Sequence, residues 1–335
     1  MLRSKILSRN YSLVTVLIQD FNKGPKIEVD DFDNHDYFKL FSKELPEVIS
    51  KIEFSDIIVI NGEGSIHGIR KISLTLLYLA YVSKIKFNKT VHIINHSAYP
   101  SSDGSLHDLV ANRLYQKVYS LVDYIAIREP ESHQVMSQLG VKAAQSFDSL
   151  PIYINESYEG IGTPSEDIVY SGSVAYTDNS VEIQAEYIKY LISAGHKVKF
   201  LTGASDFPDM REKALIDKLQ ALVPELGVLN AQSLDEWLEQ IQTARLFISG
   251  RFHHTIAAIC FGTPCIVLNS NTKKVDSILK MLSMPSPLRY NSRDLLNELI
   301  YRTNTCLDQL PISNDQIKKM NVKLVEMAKR NFDYL

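Results

Sequence analysis

From residue 249 to residue 254 the chain reads Ser-Gly-Arg-Phe-His-His, the most informative segment for chemistry in its 335 residues. A glycine at a strand exit lets the backbone turn into a helix, and an arginine and a histidine beside that helix start lie next to its positive dipole end. An anion is well held in such a place. Arg251 gives planar two-point contacts to a carboxylate or phosphate, and position 253 is a histidine, the residue type suited to moving a proton in general acid-base chemistry. A structural account also fits, with Arg251 capping a carboxylate and His253 satisfied in the core. Residues 255–261 are almost wholly apolar and end at Gly262, so burial should fix the helix start.

In open parallel sheets, ligands bind at the carboxyl ends of strands, which directs attention to the residues after each apolar run. In the first half these are Asn61 to His67, His96-Ser97, Arg128-Glu129 and Asp148. In the second half they are Ser171 to Ser173, Thr202-Gly203, the 249–254 segment and Asn269 to Lys274. Glu63, two histidines and a distant Asp148 lack the His-Glu-x-x-His type of spacing, so no metal is expected. Gly62-x-Gly64 would need glycine at position 67 to bind a dinucleotide, and that residue is His67. Tyr99 and Tyr176, placed in loops, could stack on sugar rings, whereas the single tryptophan, Trp237, belongs to helix packing.

The elements that must position these groups follow from hydrophobic patterning. Residues 56–60 are a continuous apolar strand, 61–68 a glycine-rich loop, 72–85 a helix, 91–95 a strand, 96–104 a polar loop and 106–120 a helix. A strand at 123–127 precedes a helix opened by Pro130 and closed by Gly140. Residues 12–18 read as a first strand, and 149–167, interrupted by Pro151, Gly160, Gly162 and Pro164, read as a linker. Beyond it come a strand at 168–170, a helix at 180–194, a strand at 197–201 and a helix at 211–222. A capping box at Ser233 to Glu236 and a strand at 246–249 follow. This alternation predicts an α/β protein of two doubly wound Rossmann-like domains facing a cleft, similar to the GT-B glycosyltransferase architecture. The domains are expected at 1–155 and 166–312, with an amphipathic helix at 313–335.

A 335-residue chain corresponds to about two domains, and 45% hydrophobic with 22% charged residues excludes fibrous and disordered classes. A net charge of −3 argues against nucleic-acid binding and a polybasic membrane anchor. The apolar stretches at 74–82 and 255–268 fall short of the ~20 residues of a membrane span. Arg3, Lys5 and Arg9 imitate a signal peptide, but Gln19-Asp20 follows without a cleavage pattern. Three cysteines with no CxxC pair fit a reducing cytoplasm.

Ser-Gly-Arg-Phe-His at 249–253, Gly262-Thr263-Pro264-Cys265-Ile266 and Lys274-Val275 together resemble the polysaccharide pyruvyl transferase family. Asp123 to Ser132 with Leu139-Gly140-Val141 is similar to that family's strand-Arg-x-x-x-Ser helix, and Asp148 takes the place of its interdomain Asp. Gly62-Glu63-Gly64-Ser65 takes the place of its triple-glycine loop, with Glu63 where the family has glycine. Ser270 to Lys273 stands where the family carries Tyr-Asp-Pro, which leaves Lys273 competing with Lys274. The resemblance runs from about residue 56 to residue 284.

It implies a cell-envelope transferase that moves the enolpyruvyl unit of phosphoenolpyruvate onto two hydroxyls of one sugar, forming a ketal and releasing phosphate. The acceptor would belong to a surface polysaccharide or its lipid-linked precursor. His253 and Arg251 would be catalytic, while Arg128, Arg251, Lys274, Ser249 and Gly250 would bind the donor. Glu63, His96 and Asp148 would orient the acceptor. The first domain would take the acceptor side and the second the donor side, with Arg128, Arg251 and His253 opening into the cleft. Phosphoenolpyruvate is then a substrate, with no cofactor, no nucleic acid and at most peripheral contact with the inner face of the membrane. A homo-oligomer is left open. The rivals are a GT-B glycosyltransferase using a nucleotide sugar and a non-enzymatic sugar-binding or scaffold subunit.

Overall fold

Apolar runs without alternation form strands covered on both faces, and here they build two parallel sheets. The computed structural model describes residues 11–101, 103–158, 162–163, 165–203, 210–308 and 313–335. Arg3, Lys5, Arg9, Gly160 and Pro164 lie outside the described residues. The chain divides into Met1–Ser149 with Leu324–Leu335, and Leu150–Lys323.

The first unit runs α1 (His35–Glu44), α2 (Pro46–Phe54), β1 (Ile57–His67), α3 (Lys71–Ile85), β2 (Thr90–Tyr99), α4 (Leu109–Tyr119), β3 (Tyr124–Ile127), α5 (Pro130–Gln138) and β4 (Ala144–Gln145). Its sheet has the order β1-β2-β3-β4, all parallel. The second runs α6 (Leu150–Ser157), β5 (Asp167–Tyr170), α7 (Asp178–Ser193), β6 (Lys197–Leu201), α8 (Met210–Leu222), β7 (Gly227–Leu229), α9 (Leu234–Gln242), β8 (Leu246–Ser249), α10 (Phe252–Phe261), β9 (Cys265–Val267), α11 (Lys274–Met281) and α12 (Leu295–Asp308). Its parallel order β7-β6-β5-β8-β9 reverses direction between β5 and β8, the switch point where such sheets bind ligands. Among the described residues no helix is long and apolar enough to cross a membrane.

Three expectations are corrected. Residues 12–18 form no strand: Val14 and Leu17 are exposed, and the chain instead enters a 3-10 turn at Ile18–Lys23 whose Asp20 accepts the Leu17 N–H. The glycine-rich 61–67 and polar 96–99 segments are not loops but the second halves of β1 and β2. A Cβ on Gly62 would sit 2.8 Å from both His96 Cβ and Ile66 Cδ1, so that glycine permits close strand approach rather than a turn. The ladder bulges between Glu63 and Ile66, and Glu63 and Asn95 take left-handed φ values of 39° and 51°. Third, the interrupted 149–167 stretch contains helix α6.

At the end of the chain the expected amphipathic helix forms. α13 (Asn314–Lys329) and a 3-10 turn (Arg330–Phe332) follow, starting in the second unit and ending in the first. Ile317, Leu324, Val325 and Ala328 are its buried stripe, and Val322 is exposed.

α10 ends at Gly262 in left-handed backbone with φ 68°, where a Cβ would overlap Ile317 Cδ1 and stand 2.6 Å from its Cγ1. Both terms penalise any side chain. Gly262→Ala should therefore lower the urea unfolding free energy by about 1–3 kcal/mol, with partial recovery in Gly262→Ala/Ile317→Ala. Equal urea midpoints for Gly262→Ala and wild type would overturn this.

Candidate active site

At the switch point of the second unit three strand exits interlock. The Gly250 N–H donates to the Gly172 carbonyl at 2.8 Å, the Leu268 N–H to the Ser249 carbonyl at 3.0 Å, and the Ser173 hydroxyl to the Asn269 carbonyl at 2.6 Å. A Cβ at position 250 would lie 2.6 Å from Ser173 Cβ and 2.7 Å from the Leu268 carbonyl oxygen. The Ser249 hydroxyl accepts the Arg251 N–H at 3.1 Å, and Arg251, extended at the N-cap, sends the chain into α10. α11 starts at Lys274, with the exposed Lys273 as its N-cap residue. Since β8 and β9 are neighbours, the positive ends of α10 and α11 open from adjacent strands.

The Arg251 guanidinium is mostly buried and pairs with Glu212 of α8 at 2.7 Å. Both Glu212 oxygens also accept the Gly203 N–H at 3.2 Å, which ties the β6 exit to the same centre. The carboxylate-capping account of Arg251 thus describes its pairing in the structure. Glu212 is not among the expected site residues, because nothing local distinguishes it from the other charges of a helix.

The two histidines separate cleanly. His254 is buried, its ring stacked on Phe247 and met edge-on by Trp237. The Trp237 indole N–H donates to His254 Nε2 at 3.1 Å, and an indole N–H can only donate, so Nε2 carries a lone pair. Burial, then the Arg251 and His253 charges, hold the His254 pKa well below its ordinary value, so the ring is neutral. His253, in contrast, is half-buried. The core histidine of this pair is His254, not His253.

The first unit holds the other expected residues, in a different state. Arg128, expected to open outward, is 1% exposed; its Nη1 donates to Asp148 at 2.7 Å and its Nε to the Ser97 hydroxyl at 3.2 Å. Ser97 in turn donates to Glu129 at 2.9 Å. A donor-side and an acceptor-side candidate are thereby joined in one buried ion pair. His96 is a core residue with no exposed surface, 2.9 Å from the Tyr119 hydroxyl, and burial holds its pKa down to about 3. That neutral, covered ring offers no atom to a sugar. Glu63 alone of the three acceptor candidates is exposed, accepting from Asn61 Nδ2 at 3.2 Å. Tyr99 is no loop residue: it ends β2 and is buried. Arg211 lies over the Tyr176 ring, 5.6 Å from its centroid. Among the described residues no group of three or more His, Cys, Asp or Glu could hold a metal ion.

His92, His96 and His254 all have pKa values lowered by burial. The unfolded chain therefore takes up protons below about pH 6.5 that the folded chain refuses, and stability falls as pH drops, by about 1.4 kcal/mol per pH unit per histidine. For His96 this continues until the folded ring titrates at about 3. His254→Gln should flatten the urea-measured slope between pH 7 and pH 5 by one proton; an unchanged slope would show that His254 is not held neutral.

The sequence profile of the Polysaccharide pyruvyl transferase family matches residues 11–272. The match begins well before residue 56 and stops short of Lys273 and Lys274. No curated protein sequence matches the chain. Among solved structures, a UDP-GlcNAc 2-epimerase from Methanocaldococcus jannaschii is similar with a TM-score of 0.53 at 13% identity, over 92% of this chain and 88% of its own. A UDP-GlcNAc 2-epimerase from Neisseria meningitidis bound to UDP-GlcNAc gives 0.53 at 8% identity, over 90% and 83%. The S. aureus MnaA–UDP structure gives 0.55 at 8% identity, over 99% and 82%. At these identities the likeness is one of fold, and it marks the two α/β units as GT-B-like Rossmann domains.

Proposed function

Because the chain belongs to the polysaccharide pyruvyl transferase family, we propose that this transferase uses phosphoenolpyruvate to place a pyruvate ketal on a sugar of a surface polysaccharide or its lipid-linked precursor. Two observations support the reading: the family match, and the convergence of β5, β8 and β9 around Gly250, which sets Arg251 and His253 at the start of α10.

Phosphoenolpyruvate carries a carboxylate and a phosphate, and Arg251 binds one of them, with Lys274 on the neighbouring exit as the second cation. Ser249 and Gly250 shape the turn that fixes Arg251. His253, protonated, delivers a proton to the methylene carbon, which becomes the methyl group, and C2 gains cationic character. One sugar hydroxyl adds to C2 and gives its proton to His253, restoring it. The C2–oxygen bond to phosphate then breaks, the second hydroxyl closes the ketal, and its proton leaves with inorganic phosphate. Glu63 orients the sugar. The reaction needs no cofactor, and a cytoplasmic site at the inner face of the membrane suits a lipid-linked acceptor. The nucleotide-sugar alternative has the likeness to UDP-GlcNAc enzymes behind it, which extends to the fold alone.

Calorimetry with phosphoenolpyruvate and with UDP-GlcNAc separates the two: binding of the first alone supports the reading, and binding of the second alone overturns it. Arg251→Ala should weaken phosphoenolpyruvate binding about 10- to 150-fold while the protein stays folded. Unchanged affinity would leave Arg251 as a cap for Glu212. His253→Gln should lower kcat about 10²- to 10⁴-fold with little change in donor KM. His254→Gln, whose side chain points about 100° away and lies in the core, should cost stability rather than turnover. A larger kcat loss at His254 would move the proton-transfer role by one residue.

A further inference from the structure

A buried amide near the end of the chain reaches the strand exits of the first unit. Asn331 has no exposed surface. Its Oδ1 accepts the Asn95 N–H at 2.7 Å and the Ser146 hydroxyl at 3.2 Å, and its Nδ2 donates to the carbonyls of Phe147 at 2.8 Å and Ala328 at 2.9 Å. From Asn95 the connection continues outward: its Oδ1 accepts the Ser149 N–H at 3.1 Å, its Nδ2 donates to Asn61 Oδ1 at 3.1 Å, and Asn61 Nδ2 donates to Glu63.

The polarity of this relay is forced. A backbone N–H can only donate, so Ser149 fixes which side of the Asn95 amide is oxygen. Asn61 must then present its oxygen inward and its NH₂ to the carboxylate. Two members, Asn95 and Glu63, also have left-handed backbone, at φ 51° and 39°. Such conformations persist where the surroundings over-determine them, and they cluster at functional sites. Asn331 lies beyond the family match, which ends at residue 272.

We propose that the amide relay Asn331–Asn95–Asn61 positions the Glu63 carboxylate against a hydroxyl of the acceptor sugar. Asn331, Asn95 and Asn61 are positioning residues, and Glu63 is the group that meets substrate. The inference rests on the proposed function for the identity of the acceptor. Its signature is acceptor-specific, because no member of the relay lies on the strand exits assigned to the donor.

Asn95→Asp is the most direct variant. Aspartate tolerates left-handed backbone and still accepts the Ser149 N–H, but it has no NH₂ to donate. Asn61 must turn its amide round to donate to the introduced carboxylate, which puts its oxygen against Glu63. Acceptor kcat/KM should fall about 10- to 100-fold with phosphoenolpyruvate KM unchanged. In a Glu63→Gln background, where the glutamine amide donates to the turned oxygen, the same change should cost little further. Asn61→Ala, at an exposed position, should reproduce the acceptor loss without a folding risk. Additive losses, equal effects on donor and acceptor parameters, or lowered Tm with intact acceptor kcat/KM would overturn the relay. Binding to an array of hexose- and N-acetylhexosamine-terminated oligosaccharides reads it without any donor. A wild type that binds glycans but does not turn over phosphoenolpyruvate overturns the donor reading alone, whereas equal glycan binding by wild type and Asn61→Ala overturns the relay.

Discussion

There is no room for a side chain at position 250. The space is already filled by Ser173 and by the carbonyl of Leu268, residues that follow β5 and β9, so three strand exits are held within van der Waals distance of one another. Everything at the second unit's site depends on that crowding. It fixes where β8 hands over to α10, and so the direction in which Arg251 and His253 leave the sheet. The body of α10, buried from His254 to Phe261 and apolar from Ile256 on, then keeps the helix from rotating, because any rotation would exchange a buried face for His253. A mobile loop could not keep an arginine and a histidine in a fixed relation to a helix dipole.

Buried charge is handled differently in the two units. Arg128 pairs with Asp148 out of water, with the buried Glu129 carboxylate 3.8 Å from its Nε, and removing one partner of such a buried pair typically costs about 3–5 kcal/mol through the charge left behind. That makes them supports for the β3 and β4 exits of the first unit. Arg251 is also paired, but its side chain keeps 19% of its surface, while the buried Glu212 also accepts the Gly203 N–H. Of these two pairs, Arg251–Glu212 is the more exposed.

Strands were legible wherever an apolar run had no other use: residues 246–249 match β8 end to end, and 197–201 match β6. Glycine was the ambiguous letter. Gly62 reads as a loop residue, yet it serves close packing against His96, and only the neighbouring strand decides between the two meanings. The Arg251–His253 segment was legible because its chemistry is local. Glu212 and Asn331 were not, since their roles come from partners far along the chain; Asn331 and Asn95 lie 236 positions apart. His96 and Arg128 were legible as polar residues at strand ends, but position along a strand does not say whether the next helix covers them.

Trp237 is the only tryptophan in a chain with 17 tyrosines, and it touches the ring of His254, next in sequence to His253. The chain therefore carries its own optical reporter at the candidate donor site. Excitation at the red edge of indole absorption addresses this one chromophore, with no background from tyrosine. Its N–H is committed to a neutral imidazole, so its emission maximum and lifetime are tied to the geometry of the first turn of α10. A ligand that pulls on Arg251 or His253 is thereby read in the colour of a residue it never contacts.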